Sequence, residues 1–327
     1  MKKTENEILY EVSKLYYIEN RNQAEIARKM GISRPQVSRY LKKAKEIGIV
    51  EIKLNLPEES NTDIIADKLK NILGLKEVYI TQKAPGVSND IDRIKKLSFN
   101  SIKYISNLIE NSKFVGIGWG RTIYNIILSM EYIKNKSDIS FLPLIGGVGQ
   151  TEPHYQVNTI VDRLAEKFGG NRIFLNAPAF FQKESFYYET LKNNGISTVL
   201  DLWEKLDLAI VGLGSPIQYS EVLRSEIAPA TLLKLIKENP VGDILGRFIN
   251  SKGQVITKED DWNILGIPLE CLQKIENVVC IAEGDEKTHG IISAAKSKYF
   301  NILITNYETG GNILSLIEGG LYESAGI

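Results

Sequence analysis

From residue 61 onward, short apolar runs alternate with amphipathic stretches, and this pattern limits the folds open to the chain more than any other feature. The runs Val78–Thr81, Phe114–Ile117, Phe141–Ile145, Arg172–Leu175, Leu208–Val211, Asp243–Phe248, Val278–Ala282 and Ile302–Thr305 read as strands. Helical spacing occupies Asp90–Asn111, Thr122–Tyr132, Val157–Phe168, Pro229–Glu238, Glu286–Tyr299 and Thr309–Glu318, with Asn61–Leu73 leading in. Such alternation predicts an α/β domain with a mostly parallel sheet covered on both faces. No run approaches the roughly 20 apolar residues of a membrane helix. The start, Met1–Glu7, brings acids where a signal peptide needs an apolar core, so the expectation is a cytoplasmic chain with no membrane partner. Two cysteines, Cys271 and Cys280, and two histidines, His154 and His289, show no zinc-type spacing, so no metal and no cofactor are expected.

The first fifty residues follow another rule. Ile8, Leu9, Val12, Leu15 and Tyr16 set a helix over Asn6–Glu19. Asn22 is placed to cap a short helix, Gln23–Met30, whose inner face is Ala24, Ile26, Ala27 and Met30. Gly31 suits a left-handed stop, and Ser33 with Gln36 three residues on has the pattern of a capping box for a third helix. There Val37, Tyr40, Leu41, Ala44 and Ile47 face inward, leaving Arg34, Gln36, Ser38, Arg39, Lys42 and Lys43 outside.

Two helices, a glycine turn and a donor-rich second helix predict a helix-turn-helix that binds double-stranded DNA. Ser33, Arg34, Gln36 and Ser38 sit where base edges or nearby phosphates are met; Arg39, Lys42 and Lys43, with Gln23 on the preceding helix, suit the phosphate backbone. Ile49–Leu54 alternates like the strand of a wing, and Pro57–Asn61 reads as a linker. The domains are therefore placed at 1–56 and 57–327. Charge agrees. The whole chain is neutral, yet residues 1–56 hold 12 Lys/Arg against 7 Asp/Glu, and the rest 28 against 33.

Several predicted strands end in glycine: Gly116-Ile117-Gly118-Trp119-Gly120-Arg121-Thr122, Leu144-Ile145-Gly146-Gly147, Val211-Gly212-Leu213-Gly214-Ser215 and Ala282-Glu283-Gly284-Asp285. Ligands of open α/β sheets sit outside the strands' carboxyl ends, where backbone N–H groups and helix N-termini favour anions. A small phosphorylated ligand follows. The spacing is wrong for a dinucleotide fingerprint, no acid ends the next strand, and no Walker lysine is present. His154 has no accompanying nucleophile or paired carboxylate and is not expected to catalyse.

Across Asn22–Tyr40, Val115–Thr122, Leu142–Gly149, Asp207–Ser215, Gly242–Phe248, Val279–Ala295 and Leu303–Gly310 the chain resembles the SorC family of sugar-responsive bacterial transcription regulators. The resemblance implies an effector domain similar in fold to sugar-phosphate isomerases and glucosamine-phosphate deaminases, without turnover, in a homo-dimer or homo-tetramer on a palindromic operator. It implies a phosphorylated sugar held by Gly118, Trp119, Gly120, Arg121 and Thr122, with Gly146, Gly147 and Gln150 contributing from the next turn. Trp119 also suits packing. By the same resemblance Asp243 bonds sugar hydroxyls and Lys287 approaches the phosphate or sugar oxygens from the other side. Deoxyribose-phosphate-binding relatives carry a lysine just before the Gly-Gly pair. This chain has Ile145 there, with no amine for a Schiff base.

Overall fold

The computed structural model of the chain describes residues 4–19, 21–50, 61–81, 99–133, 136–149, 153–256 and 263–319. The chain divides into two compact units, Met1–Glu58 and Glu59–Ile327.

In the first unit, α1 (Glu5–Ser13) is capped by a reciprocal Thr4–Glu7 box and runs on as a π-helical turn, Lys14–Ile18. Helix α2 (Gln23–Met30) starts at Asn22, whose Oδ1 accepts from the Ala24 and Glu25 N–H groups, while the Glu25 carboxylate accepts from the Asn22 N–H. Gly31, at φ 66°, ends it in the left-handed conformation that glycine adopts without strain. Helix α3 (Arg34–Glu46) follows after two residues. Val12, Leu15, Ile26, Val37 and Leu41 form the core between the three helices.

Three details of the expected packing change. Ala24 and Ile47 are exposed rather than inward. Ser33 starts α3 without a side-chain bond, because the Gln36 amide donates to Tyr40 Oη, 2.9 Å away and one turn on, instead of closing a box. Gln36 is consequently half-buried, not on the outer face. The wing strand beyond Val50 and most of the linker lie outside the described residues.

The second unit is built on seven parallel strands in the order β1-β11-β10-β6-β2-β3-β4. These are β1 (Glu77–Thr81), β2 (Phe114–Ile117), β3 (Ser140–Pro143), β4 (Asn171–Arg172), β6 (Leu208–Gly212), β10 (Asn277–Ile281) and β11 (Ile302–Asn306); β5 (Phe180–Phe181) pairs with β9 (Asn263–Ile264) elsewhere. Both faces are covered, which is why the strands read as continuous apolar runs. Along β6, Leu208 and Ile210 enter one core with Val115, Ile117, Ile126 and Phe141, while Ala209 and Val211 enter the other with Leu142, Leu144 and Phe248.

One expected strand is something else. Asp243–Phe248 is not part of the main sheet but an antiparallel hairpin, β7 (Gly242–Ile244) and β8 (Arg247–Ile249). Its two-residue turn puts Leu245 at φ 52° and Gly246 at φ 77°, the pairing that two-residue hairpins with positive φ require. Helices Glu184–Leu191 and Asn194–Trp203, in a stretch without a sequence assignment, complete one layer. Among the described residues no helix is long and apolar enough to cross a membrane.

Candidate functional site

After β2 the chain winds outward through β3 and β4; later it returns to the other side of β2 and adds β6, β10 and β11 in turn. The direction of winding therefore reverses between β2 and β6, and a crevice opens there at the carboxyl ends, as such folds demand. It encloses about 200 Å³ and is lined by Trp119–Ile123 after β2, Gly212–Gly214 after β6, Ile281 and Lys287 from β10 and its turn, Asp243 and Leu245 from the hairpin, and Ser220 and Leu223. At roughly 30 Å³ per water molecule, this is room for a compact metabolite.

The anion-attracting end is a helix start. Gly120 stands at φ 122° and ψ 161°, a conformation open essentially to glycine alone, and turns the chain into helix Arg121–Ser129. The N–H groups of its first turn, Arg121, Thr122 and Ile123, have no carbonyl within the helix to bond. At its far end the buried Lys167 donates from Nζ to the Leu128 and Met130 carbonyls, and burial lowers its pKa. Cationic caps of this kind complement the dipole and fix the helix in place.

Glycine N–H groups themselves are already engaged. Gly118 donates to the Ile210 carbonyl at 2.8 Å and Gly120 to Tyr155 at 3.3 Å. Gly146 and Gly147 do not line the crevice: they donate to Leu265 (2.9 Å) and Ala177 (2.8 Å), which turns their backbone away into packing. Gly118, Gly146 and Gly147, expected at the effector site, are thus bonded within the fold and are not among the residues that line the crevice. Trp119, Gly120, Arg121, Thr122, Asp243 and Lys287 do come together, and Gln150 lies outside the described residues.

Asp243 is the deepest polar group of the crevice, 4% exposed. Its Oδ2 accepts from the Gly246 N–H at 3.0 Å across the hairpin turn. Backbone bonds join Asp243 to Gly214 in both directions, and a Cβ at Gly214 would lie 1.8 Å from Oδ1, so the carboxylate is seated on a glycine. Burial pushes its pKa up to about 6 against the opposing pull of the Gly246 N–H and the Lys287 ammonium. Lys287 is the residue immediately before helix Thr288–Lys296 rather than within its first turn.

In the N-terminal unit, α3 exposes Arg34, Ser38, Arg39 and Lys42 away from Val37, Leu41 and Ala44. Among the described residues neither Arg34 nor Arg39 has an ion-pair partner; Lys42 lies 3.8 Å from Glu46, and Lys43 is paired with Glu5. A short helix with two unpaired guanidinium groups at its N-terminal half is chemically a reader of major-groove edges and phosphates.

Two family matches coincide with these two places. A helix-turn-helix family matches residues 12–53, and the sugar-binding domain family matches residues 59–315. The chain belongs to the SorC family of sugar-binding transcription regulators. It is similar to the sorbitol operon regulator of Klebsiella pneumoniae, 28% identical over 94% of this chain and 97% of that one. It is likewise similar to the deoxyribonucleoside regulator of Bacillus subtilis, at 27% over 94% and 97%. The crystal structure of the full-length sorbitol operon regulator SorC superposes with a TM-score of 0.87 at 27% identity, covering 96% of this chain and all of that one. A DeoR family regulator from Listeria monocytogenes gives 0.69 at 26% identity over 77% and 99%. This SorC-family chain is thus a DNA-binding transcription regulator of sugar metabolism.

Pocket residues of this SorC-family member that the sequence did not single out are Ile123, Gly212, Leu213, Gly214, Ser220, Leu223, Leu245 and Ile281. Gly214 carried a signal, the second glycine of a strand end. Ser220 joins two short elements, Ile217–Tyr219 and Glu221–Glu226, and Leu223 lies in the second; both are too brief for periodicity to reveal. His154 is exposed and stacks on Tyr124, with ring centroids 5.7 Å apart. Among the described residues no group of three His, Cys, Asp or Glu side chains is placed to hold a metal ion.

Proposed function

We propose that this regulator is a repressor that binds a palindromic operator as a dimer or tetramer and loosens its grip when a phosphorylated sugar enters the crevice. One observation carries the reading: a helix N-terminus, a lysine and a buried carboxylate meet in one small cavity at the switch point of the sheet. The first-turn N–H groups and the Thr122 hydroxyl hold the phosphate, with Lys287 opposite it. Asp243 accepts from sugar hydroxyls. Ile145 offers no amine, so no Schiff base with the sugar forms at that position. The names of the relatives, a sorbitol operon regulator and a deoxyribonucleoside regulator, support a carbohydrate-related effector. On the DNA side Arg34 and Ser38 read bases, Arg39 and Lys42 hold phosphates, and Lys43 exchanges Glu5 for a phosphate on binding.

A sugar shifts operator affinity only by binding the two states of the regulator unequally. The test has two arms on the full-length protein. Duplexes selected from a random pool are titrated with and without a panel of aldose, ketose and amino-sugar phosphates, and the same panel is used in thermal shift. The expected result is one sugar phosphate that raises the melting temperature and weakens operator binding, with the free sugar inert. A panel that leaves both readouts unchanged overturns the reading.

A second reading, a sugar-phosphate isomerase or deaminase, is favoured by the elevated pKa of Asp243, which suits a general base near neutrality. Turnover of a panel member, abolished by Asp243→Asn, would establish it.

A further inference from the structure

The turn that carries Lys287 is tied at several points to a single helix. The Gly284 N–H donates to Thr309 Oγ1 at 2.9 Å, and the Asn312 amide donates to Asp285 Oδ1 at 2.7 Å. Asn306 joins in twice: its amide donates to Glu283 Oε2 at 3.1 Å, and its Oδ1 accepts from the Thr309 N–H at 2.8 Å, capping helix Tyr307–Glu318. Thr309 is fully buried. On its other flank the turn is clasped to the Asp243 side of the crevice, since Ser215 Oγ donates to Glu286 Oε1 at 3.1 Å and the adjacent Gly214 is bonded to Asp243.

Helix Tyr307–Glu318 meets a second helix, Asn61–Leu73, with little slack. A Cβ at Gly310 would fall 3.2 Å from Ile65 Cγ2 of that helix and 2.9 Å from Ile80 Cδ1 of β1, so a side chain there would oblige both to give way. Lys68 and Glu318 close the seam with an ion pair at 3.3 Å. Asn61–Leu73 is also the first helix of the sugar-binding unit, the one that follows the DNA-binding unit along the chain.

We propose that the Glu283–Lys287 turn passes the occupancy of the crevice to helix Tyr307–Glu318, and through the Gly310 seam to helix Asn61–Leu73, with Thr309 and Asn312 as the positioning residues of that link. The proposal rests on the reading of the crevice as the effector site. An anion drawing Lys287 inward displaces the backbone from which Gly284 and Asp285 bond the helix. Close-packed seams answer by shifting as units rather than by yielding atom by atom.

Hydrogen exchange on the full chain tests this, because local opening is read amide by amide. Probes are millimolar fructose 6-phosphate, ribose 5-phosphate and inorganic phosphate. In the parent protein an effective probe slows exchange at residues 121–124 and changes it about fivefold in residues 61–73, the lower end of ordinary allosteric couplings. Asn312→Ala, at an exposed position, and Thr309→Val are expected to keep the response at 121–124 and lose that at 61–73. Thr309→Ser, which retains the hydroxyl, is expected to restore it. Protection at 121–124 with an unchanged response at 61–73 in both variants overturns the link alone. No protection at 121–124 with any probe overturns the effector reading and the link with it.

Discussion

After β2 the chain passes Gly118 and Gly120 and enters a nine-residue helix at once; after β3 it passes Gly146 and Gly147, and the next α-helix waits until Val157. The two turns are alike in composition and lie at the same edge of the sheet. They differ in what surrounds each glycine. A Cβ at Gly146 would stand 2.6 Å from the Pro178 backbone, whereas at Gly120 nothing lies within 4 Å. Gly146 is there so that two backbones can touch, and Gly120 so that the chain can swing at φ 122° into a helix whose first N–H groups face a cavity. A glycine-rich strand end thus serves either close packing of two backbones or the entry into a helix beside a cavity, and its neighbours in space decide which.

Four substitutions probe this contrast, the largest effect first. Gly146→Ala forces backbone against backbone and is expected to cost about 3 kcal/mol, a fall of roughly 8 °C in melting temperature for a unit of this size. An unchanged melting curve would mean that the Pro178 contact is not tight.

Asp243→Asn separates stability from response. The native carboxyl, with its pKa near 6, keeps a proton that the unfolded chain releases from about pH 4. The parent therefore loses stability as pH rises through that window, by up to about 3 kcal/mol, and carries the full penalty above pH 6. The variant should melt at the same temperature or higher than the parent at pH 7.5, show no such pH dependence in denaturant titrations, and no longer respond to sugar phosphate. Gly120→Ala has space but not conformation: the strain costs about 2 kcal/mol, and the sugar response measured by thermal shift is expected to disappear. Gly147→Ala, which meets only ordinary contacts at 3.6 Å and beyond, should change stability by less than about 0.5 kcal/mol and leave the response intact. A loss of response there would return the β3 turn to the effector site.

The helix-turn-helix and the parallel sheet were legible because their signals are local. Asn22, Gly31 and the apolar spacing of α2 and α3 act within a few residues, and β2 and helix Val157–Phe168 fall where their periodicity places them. The Asp243–Phe248 run misled because an apolar stretch reads alike as one strand or as two short ones; only the positive φ of Leu245 and Gly246 separates them. Gln36 misled for a similar reason, since a half-turn rule places it outside while Tyr40 Oη draws its amide back.

What the amino-acid sequence determined by itself was the kind of each element and its order, since caps, turns and apolar period are settled by near neighbours along the chain. Which donors remain for a ligand was decided only in three dimensions. Ile210, Tyr155, Leu265 and Ala177 take up the glycine N–H groups from distant points of the chain, and Gly214 seats Asp243 in a pocket dry enough to raise its pKa. Hydrogen-bond satisfaction and desolvation depend on all surrounding atoms, and no window of sequence contains them.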